Sequence, residues 1–394
     1  MSDLAELYLV LVVIYAFECA AFVPRRALGL VRRFGRWRVR RTFAPSAGWL
    51  RGFVFGEPWP PLSPALVTEP LPLVVGPDGL HAVADRDLTH VHGHAHVPWE
   101  KVERVAAEGP RLLVNGKVVA LLATRVGARA LAEALDGLAA QPRSEREGRL
   151  RRWLDARFDG AAIQARLAPM WRGTLAARIA ATVLWVTVFA GLPVLLWTPL
   201  AALFLAVGAV AVAAWITASV LFELALRRSR WLPGGLRPEL AKRIAAVASP
   251  LATMRACDHL ARELAGDLDP LAAAAPLVPA LELRAVGRAR LVDLRHRRGD
   301  DPPEGGEADR GWWHRETLAR VEQTLRDRGI DPDALLAQPA PDGADVIAWC
   351  PCCLAQYRGG DEAPRACANA SCGGIVLCAF SQPGGVTPAR NSPA

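Results

Sequence analysis

The chain has 394 residues, 52% of them apolar and 22% charged, with a formal net charge of +8. That length exceeds one ordinary hydrophobic core, so more than one domain is expected. Six of the eight cysteines crowd into the last 45 residues, which excludes a disulfide-stapled secreted fold and points to a reducing compartment.

Residues 4–23 read as a first transmembrane helix. Leu7 to Val23 is apolar apart from Glu18 and Cys19, and 17 residues reach roughly 26 Å at 1.5 Å each, against a hydrocarbon core of about 30 Å. Asp3 and Glu6 flank it where a signal peptide carries positive charge, and an Arg-rich run stands where a cleavage site would be, so it reads as an uncleaved anchor. Residues 24–51 form a basic juxtamembrane segment with Arg25, Arg26, Arg32, Arg33, Arg36, Arg38, Arg40, Arg41 and Arg51. Phe34, Trp37 and Phe43 between them suit a segment resting on anionic headgroups of the lipid bilayer, with nucleic acid the less favoured partner.

Residues 52–140 change texture. Short β-like runs at Leu73–Val75, Leu80–Val83, Val97–Val105, Arg111–Val114 and Val118–Leu122 are separated by Gly-Pro-Asp-Gly and Asn-Gly turn signals. Val126, Ala130, Leu131, Ala134, Leu135 and Leu138 then repeat at helical spacing. On Val75-Gly76-Pro77-Asp78-Gly79-Leu80, Pro98-Trp99-Glu100-Lys101-Val102, Leu112-Leu113-Val114-Asn115-Gly116 and the closing helix, this stretch resembles bacterial PH-like domains. The resemblance implies a membrane-proximal binding or scaffolding module, not an enzyme. It does not bring lipid-headgroup recognition with it, because no basic phosphoinositide-binding loop maps here. Within the stretch, His90, His92, His94 and His96 would share one face of a strand and chelate metal. Gly93 breaks that strand into a turn, so a solvated polar segment is the favoured reading.

Residues 141–178 read as an amphipathic helical connector and 179–222 as a transmembrane hairpin. Ile179–Trp197 and Leu200–Phe222 hold no charge across 44 residues, and Pro193, Trp197 and Pro199 suit the turn between them. Arg172 and Arg178 precede the hairpin; Arg227, Arg228 and Arg230 follow it. The positive-inside rule then puts the N-terminus out and the C-terminus in, on a bacterial inner membrane. The richness in Arg and Ala, with Lys confined to Lys101, Lys117 and Lys242, fits a high-GC bacterial genome.

Residues 223–298 read as cytoplasmic helices. Ser249-Pro250 is an N-cap and first-turn pair, Asp267–Pro270 an interruption, and Val278–Arg295 a further helix. Cys257 reads as a packing cysteine and His259 as a surface histidine. Residues 299–311 are a polar linker, 312–344 a helical segment with a capped turn at Asp331, 345–381 a cysteine module and 382–394 a disordered tail.

In that module Cys350-Pro351-Cys352-Cys353 forms a knuckle in which Cys350 and Cys353 face one metal and Cys352 faces away. Cys367 and Cys372 form a second, wider knuckle followed by Gly373-Gly374, with Cys378 the alternative to Cys367 as fourth ligand. Over residues 347–380 this resembles the zinc-ribbon family, which implies structural Zn²⁺ on four sulfurs and a docking module for protein or nucleic acid. Four sulfurs leave no open position for water, which argues against a catalytic zinc.

The expected architecture is multi-domain: three transmembrane α-helices, a cytoplasmic α+β PH-like domain, a cytoplasmic helical region and a small zinc-ribbon β module. The chain carries no P-loop, no G-x-S-x-G and no H-E-x-x-H. The expected function is therefore non-enzymatic partner binding or scaffolding at the membrane, through an unidentified cytoplasmic protein. The alternative is metal or redox handling by the His90–His96 run and the extra cysteines.

Overall fold

The computed structural model describes residues 3–22, 27–41, 60–82, 96–191, 193–194, 201–230, 232, 240–296, 307–359, 367–368 and 377–380. Most of the hairpin turn, His90, His92, His94, Cys372 and the 382–394 tail lie outside them.

The chain opens with α1 (Asp3–Phe22), then β1 (Leu28–Arg33) and β2 (Arg36–Arg41). The run expected to lie on lipid is thus a β-hairpin. Phe34 and Gly35 sit at φ +48° and +79°, the two left-handed positions that a two-residue hairpin turn needs. Alternation then buries Trp37 and half-buries Val39 while Arg36 and Arg38 face out. With β3 (Ala65–Thr68) the strands form a sheet of order β2-β1-β3. Its central strand is covered on both faces: Leu28 and Leu30 join one hydrophobic core, Ala27 and Val31 another.

The next unit contains β4 (Leu73–Val75), β5 (Gly79–Ala82) and β6 (Val97–Pro98), then β7 (Val105–Glu108), β8 (Arg111–Val114) and β9 (Lys117–Leu121), then α2 (Arg125–Leu135). Two three-stranded antiparallel sheets and one helix share a core of Leu73, Leu80, Trp99, Leu112, Leu131 and Leu135. The expected single strand Val97–Val105 is instead β6, a 3₁₀ turn at Trp99–Lys101 and β7. Trp99 causes the break. Its backbone N–H binds the Asp78 carbonyl at 3.0 Å, and its indole N–H binds the Gly76 carbonyl at 2.9 Å. Asn115 and Gly116, at φ +51° and +77°, close the β8–β9 hairpin.

A helical region follows: α3 (Arg143–Arg157), α4 (Gly160–Gly173), α5 (Leu175–Val186) running into a π-helical turn at Thr187–Gly191, and α6 (Ala201–Arg228). Then come α7 (Leu240–Ala248), α8 (Pro250–Leu264), α9 (Pro270–Ala274), α10 (Ala280–His296), α11 (Glu307–Arg326) and α12 (Pro332–Leu335). Ser249 caps α8 through the Ala252 N–H, Asp269 caps α9 through Leu271, and Asp331 caps α12 through Asp333. Cys257 is buried in this core and His259 is exposed.

Among the described residues one helix, Leu205–Arg228 within α6, is alone long and apolar enough to cross a membrane. Helices α4 and α5 pass the same test only as a pair, bent by 65°. The expected first span contributes the shorter apolar stretch Glu6–Tyr15. Arg178, read as a flanking charge, is a buried residue inside α5, paired with Asp258 of α8. That pairing lets a cation sit within the helix instead of marking its end.

The polar linker also differs from expectation. Residues 307–311 are the first turn of α11, and Asp309 in it is 1% exposed. Composition marked the run as unfoldable, but the carboxylate there is held by the β4–β5 turn 231 residues away in sequence.

Candidate metal centre

The cysteine module is built on a sheet of order β11-β10-β12, where β10 is Val346–Trp349, β11 Gln356–Arg358 and β12 Cys378–Ala379. Between β10 and β11 the chain folds back on itself at the first knuckle. The Leu354 N–H binds the Cys350 carbonyl at 2.8 Å, and the Cys350 N–H binds the Ala355 carbonyl at 2.9 Å. Leu354 takes φ +61° to complete that turn. The strand pair Trp349↔Gln356 fixes both ends of the loop, so the two ligand positions are set by the hairpin.

Cys350, Cys353 and Cys367 place their sulfurs within 4.8 Å of one another. The Cys353 and Cys367 sulfurs are 3.7 Å apart. Zn–S bonds of about 2.3 Å set the edge of a tetrahedral S₄ site at roughly 3.8 Å. The Cys353–Cys367 pair therefore has the spacing of one edge of such a site, with the Cys350 sulfur within 4.8 Å of both, and thiolates are the donors that zinc and iron–sulfur centres select. Three of the four residues expected as ligands come together; the fourth, Cys372, lies outside the described residues.

The remaining cysteines divide as follows. Cys352 is half-buried beside this cluster, and Cys378 pairs with Trp349 across the sheet. Neither belongs to the three-sulfur group among the described residues.

Neighbouring groups hold Cys367 in place. The Tyr357 hydroxyl lies 3.1 Å from the Cys367 sulfur and accepts the Ala368 N–H at 3.0 Å. Val292 of α10 is fully buried against Cys350 and Cys367, so the module is docked on the helical region. Burial, followed by the adjoining Cys367 and Cys353 thiols, pushes the Cys350 thiol up to about 12. A bound divalent cation reverses that tendency, because a coordinating thiol is deprotonated outright. The three thiols could hold a metal ion.

Of the histidine run only His96 is described, and its partners were not expected from sequence. It stacks on His81, with Asp309 beside both. His81 lies in a short strand and Asp309 in a polar run, so no ligand spacing links the three. The nearest sequence signal is the Gly76-Pro77-Asp78-Gly79 turn that receives them.

No family model matches this chain, no curated protein matches it, and no solved structure matches it.

Proposed function

We propose that this chain is a membrane-anchored binding or scaffolding protein whose C-terminal module is a zinc ribbon. Cys350, Cys353 and Cys367 hold a structural Zn²⁺, with Cys372 as the fourth thiolate. The observation that carries this is the sulfur spacing at the knuckle, which matches a tetrahedral thiolate site. A closed sulfur site supplies folding energy to a module too small to have its own core. Its role is then to present a surface, and a cytoplasmic protein is the partner.

Anchorage is supported by bare apolar stripes at helical spacing. They are Leu9, Val10, Val13, Ile14 and Phe17 on α1; Leu175, Ile179, Val183 and Val186 on α5; and Val212, Ile216, Val220 and Leu224 on α6. Such stripes suit hydrocarbon rather than water. In this reading three segments enter a bacterial inner membrane, with the PH-like unit, the helices and the ribbon on the cytoplasmic face. The flanking Arg172, Arg227 and Arg228 agree with that orientation.

Affinity purification of the full chain from membranes in detergent tests the docking role, with Cys350→Ser in parallel. A protein recovered in stoichiometric amount with the wild type and lost with Cys350→Ser is the expected result. An identical set of co-purifying proteins with both would contradict it.

A further inference from the structure

A second cluster, unlike the cysteines in its donors, sits where α11 meets the β4-β5-β6 sheet. His81 comes from β5, His96 immediately precedes β6, and Asp309 lies in the first turn of α11. His81 is 0% exposed, Asp309 1% and the His96 side chain 15%. The two imidazoles stack with ring centroids 4.3 Å apart and planes 15° from parallel. Both Nε2 atoms face the same carboxylate oxygen: His81 lies 3.6 Å and His96 3.5 Å from Asp309 Oδ2.

The other oxygen of that carboxylate is occupied. Asp309 Oδ1 accepts the Asp78 N–H at 2.8 Å, which fixes the carboxylate and aims Oδ2 at the histidines. Asp309 Oδ2, His81 Nε2 and His96 Nε2 are all buried and make no hydrogen bond. Three buried polar atoms thus converge at 3.5–3.6 Å, too far apart to satisfy one another fully, whereas native interiors pair nearly all such groups with protein or water. As neutral Nε2–H tautomers both imidazoles would aim at the one oxygen, but from 3.5 and 3.6 Å, longer than a good hydrogen bond. Protonating both sets two cations in ring contact. Burial first, and then the nearby His81, already lower the pKa of His96, which favours the neutral ring that ligates metal.

The backbone is shaped for this cluster. A Cβ at position 76 would lie 2.0 Å from Asp309 Oδ1, and one at position 79 would lie 2.3 Å from His96 Nε2. The glycines at both ends of the β4–β5 turn leave the space that the carboxylate and the imidazole fill. Trp99 braces the same turn from beneath through the Gly76 carbonyl.

We infer that His81, His96 and Asp309 form a second metal site, taking a divalent transition-metal ion of the zinc class on two imidazole nitrogens and one carboxylate oxygen. The three ligand atoms lie within 4.8 Å of one another. Bonds of about 2.0–2.2 Å to nitrogen and oxygen put neighbouring tetrahedral ligands roughly 3.4 Å apart, so the observed 3.5 and 3.6 Å need slight contraction, and loading the ion must turn the stacked rings out of parallel so that both Nε2 lone pairs meet at it. The ion clasps the start of α11 to the β-sheet unit, joining Asp309 to histidines more than 200 residues earlier in the chain. This site stands independently of the cysteine reading, since its ligands, its elements and its donor atoms are all different.

Zinc content of the full chain in detergent, measured by elemental analysis after dialysis against micromolar zinc, tests the site. The variants are His96→Ala, Asp309→Asn and Cys350→Ser. His96→Ala and Asp309→Asn should each hold one zinc ion fewer than the wild type. Cys350→Ser should keep an ion that a further His96→Ala change removes. Because Asp309 is buried and its variant can misfold, the unfolding temperature of the wild type with and without added Zn²⁺ supplies a second readout. A rise with zinc in Cys350→Ser that disappears in the Cys350→Ser/His96→Ala pair supports the site. Equal zinc content in wild type, His96→Ala and Asp309→Asn would overturn it, as would a zinc-induced rise that survives His96→Ala in the Cys350→Ser background.

Discussion

Arg178 donates to Asp258 at 3.0 Å across 80 residues of sequence, with both side chains buried. Asp258 also takes Arg255 at 2.9 Å on its other oxygen and the Ala65 N–H at 3.1 Å. Arg255 in turn reaches the Tyr15 hydroxyl of α1. One carboxylate therefore ties α5, α8, β3 and, through Arg255, the first helix. Removing one member of a buried ion pair costs about 3–5 kcal/mol, mostly because the survivor keeps its charge without a partner.

Asp258→Ala is expected to destabilise more than Arg178→Met, since it takes the carboxylate from two buried guanidiniums where Arg178→Met leaves Asp258 with Arg255. Thermal unfolding in detergent checks this, with Arg178→Met costing about 3 kcal/mol and Asp258→Ala more. Equal losses would show that Asp258 is not the shared element.

Asn115 does more than turn the β8–β9 hairpin. Its side-chain oxygen accepts the Glu103 and Arg104 N–H groups at 2.8 and 3.1 Å, and its amide donates to the Lys101 carbonyl at 2.7 Å. Asn115→Gly keeps the left-handed backbone and loses these bonds, each worth about 0.5–1.5 kcal/mol. Asn115→Ala loses them and also strains φ, so it should cost about 1 kcal/mol more than Asn115→Gly. Denaturant midpoints of the two variants make the comparison.

Gly266 packs against the N-cap of α2. A Cβ there would lie 1.7 Å from Thr124 Oγ1, the atom that accepts the Gly127 N–H. Gly266→Ala should displace that hydroxyl and cost about 2–3 kcal/mol in overpacking plus the cap. Thr124→Ala removes the nearest obstructing atoms and already forfeits the cap bond, leaving only its Cβ in the way, so the double variant should be less destabilised than the sum of the two singles. Strict additivity would mean that the two residues do not share this contact.

Local signals were readable in sequence where chemistry and geometry coincide within a few residues. Asn115-Gly116 gave a hairpin, Ser249 and Asp331 gave helix caps, and the Cys350 knuckle gave a turn with converging sulfurs, whereas Asp269, read only as part of an interruption, caps a further helix. Relationships fixed by distant segments were not readable. Trp37 and Val39 alternate with arginines, and the arginine content hid the strand period until β1 and β3 supplied the partners. Asp309 sits among glycines and acids, and only the Asp78 N–H and the two imidazoles give it a place. Arg178 looked like a boundary because Asp258 was 80 residues away.

The cysteines should divide cleanly by role. Cys353→Ser and Cys372→Ser are each expected to lose the ribbon zinc, whereas Cys352→Ser and Cys378→Ser keep it, Cys378 being placed on β12 opposite Trp349. Zinc content of the four full-length variants reads this directly. Loss in Cys378→Ser with retention in Cys372→Ser would reassign the fourth ligand.

The most direct test of the zinc ribbon is X-ray absorption at the zinc edge on the full-length chain carrying His96→Ala, which leaves the cysteine centre alone. The expected result is one zinc surrounded by a sulfur shell at about 2.3 Å. A shell of nitrogen and oxygen only, or no bound zinc, would contradict it.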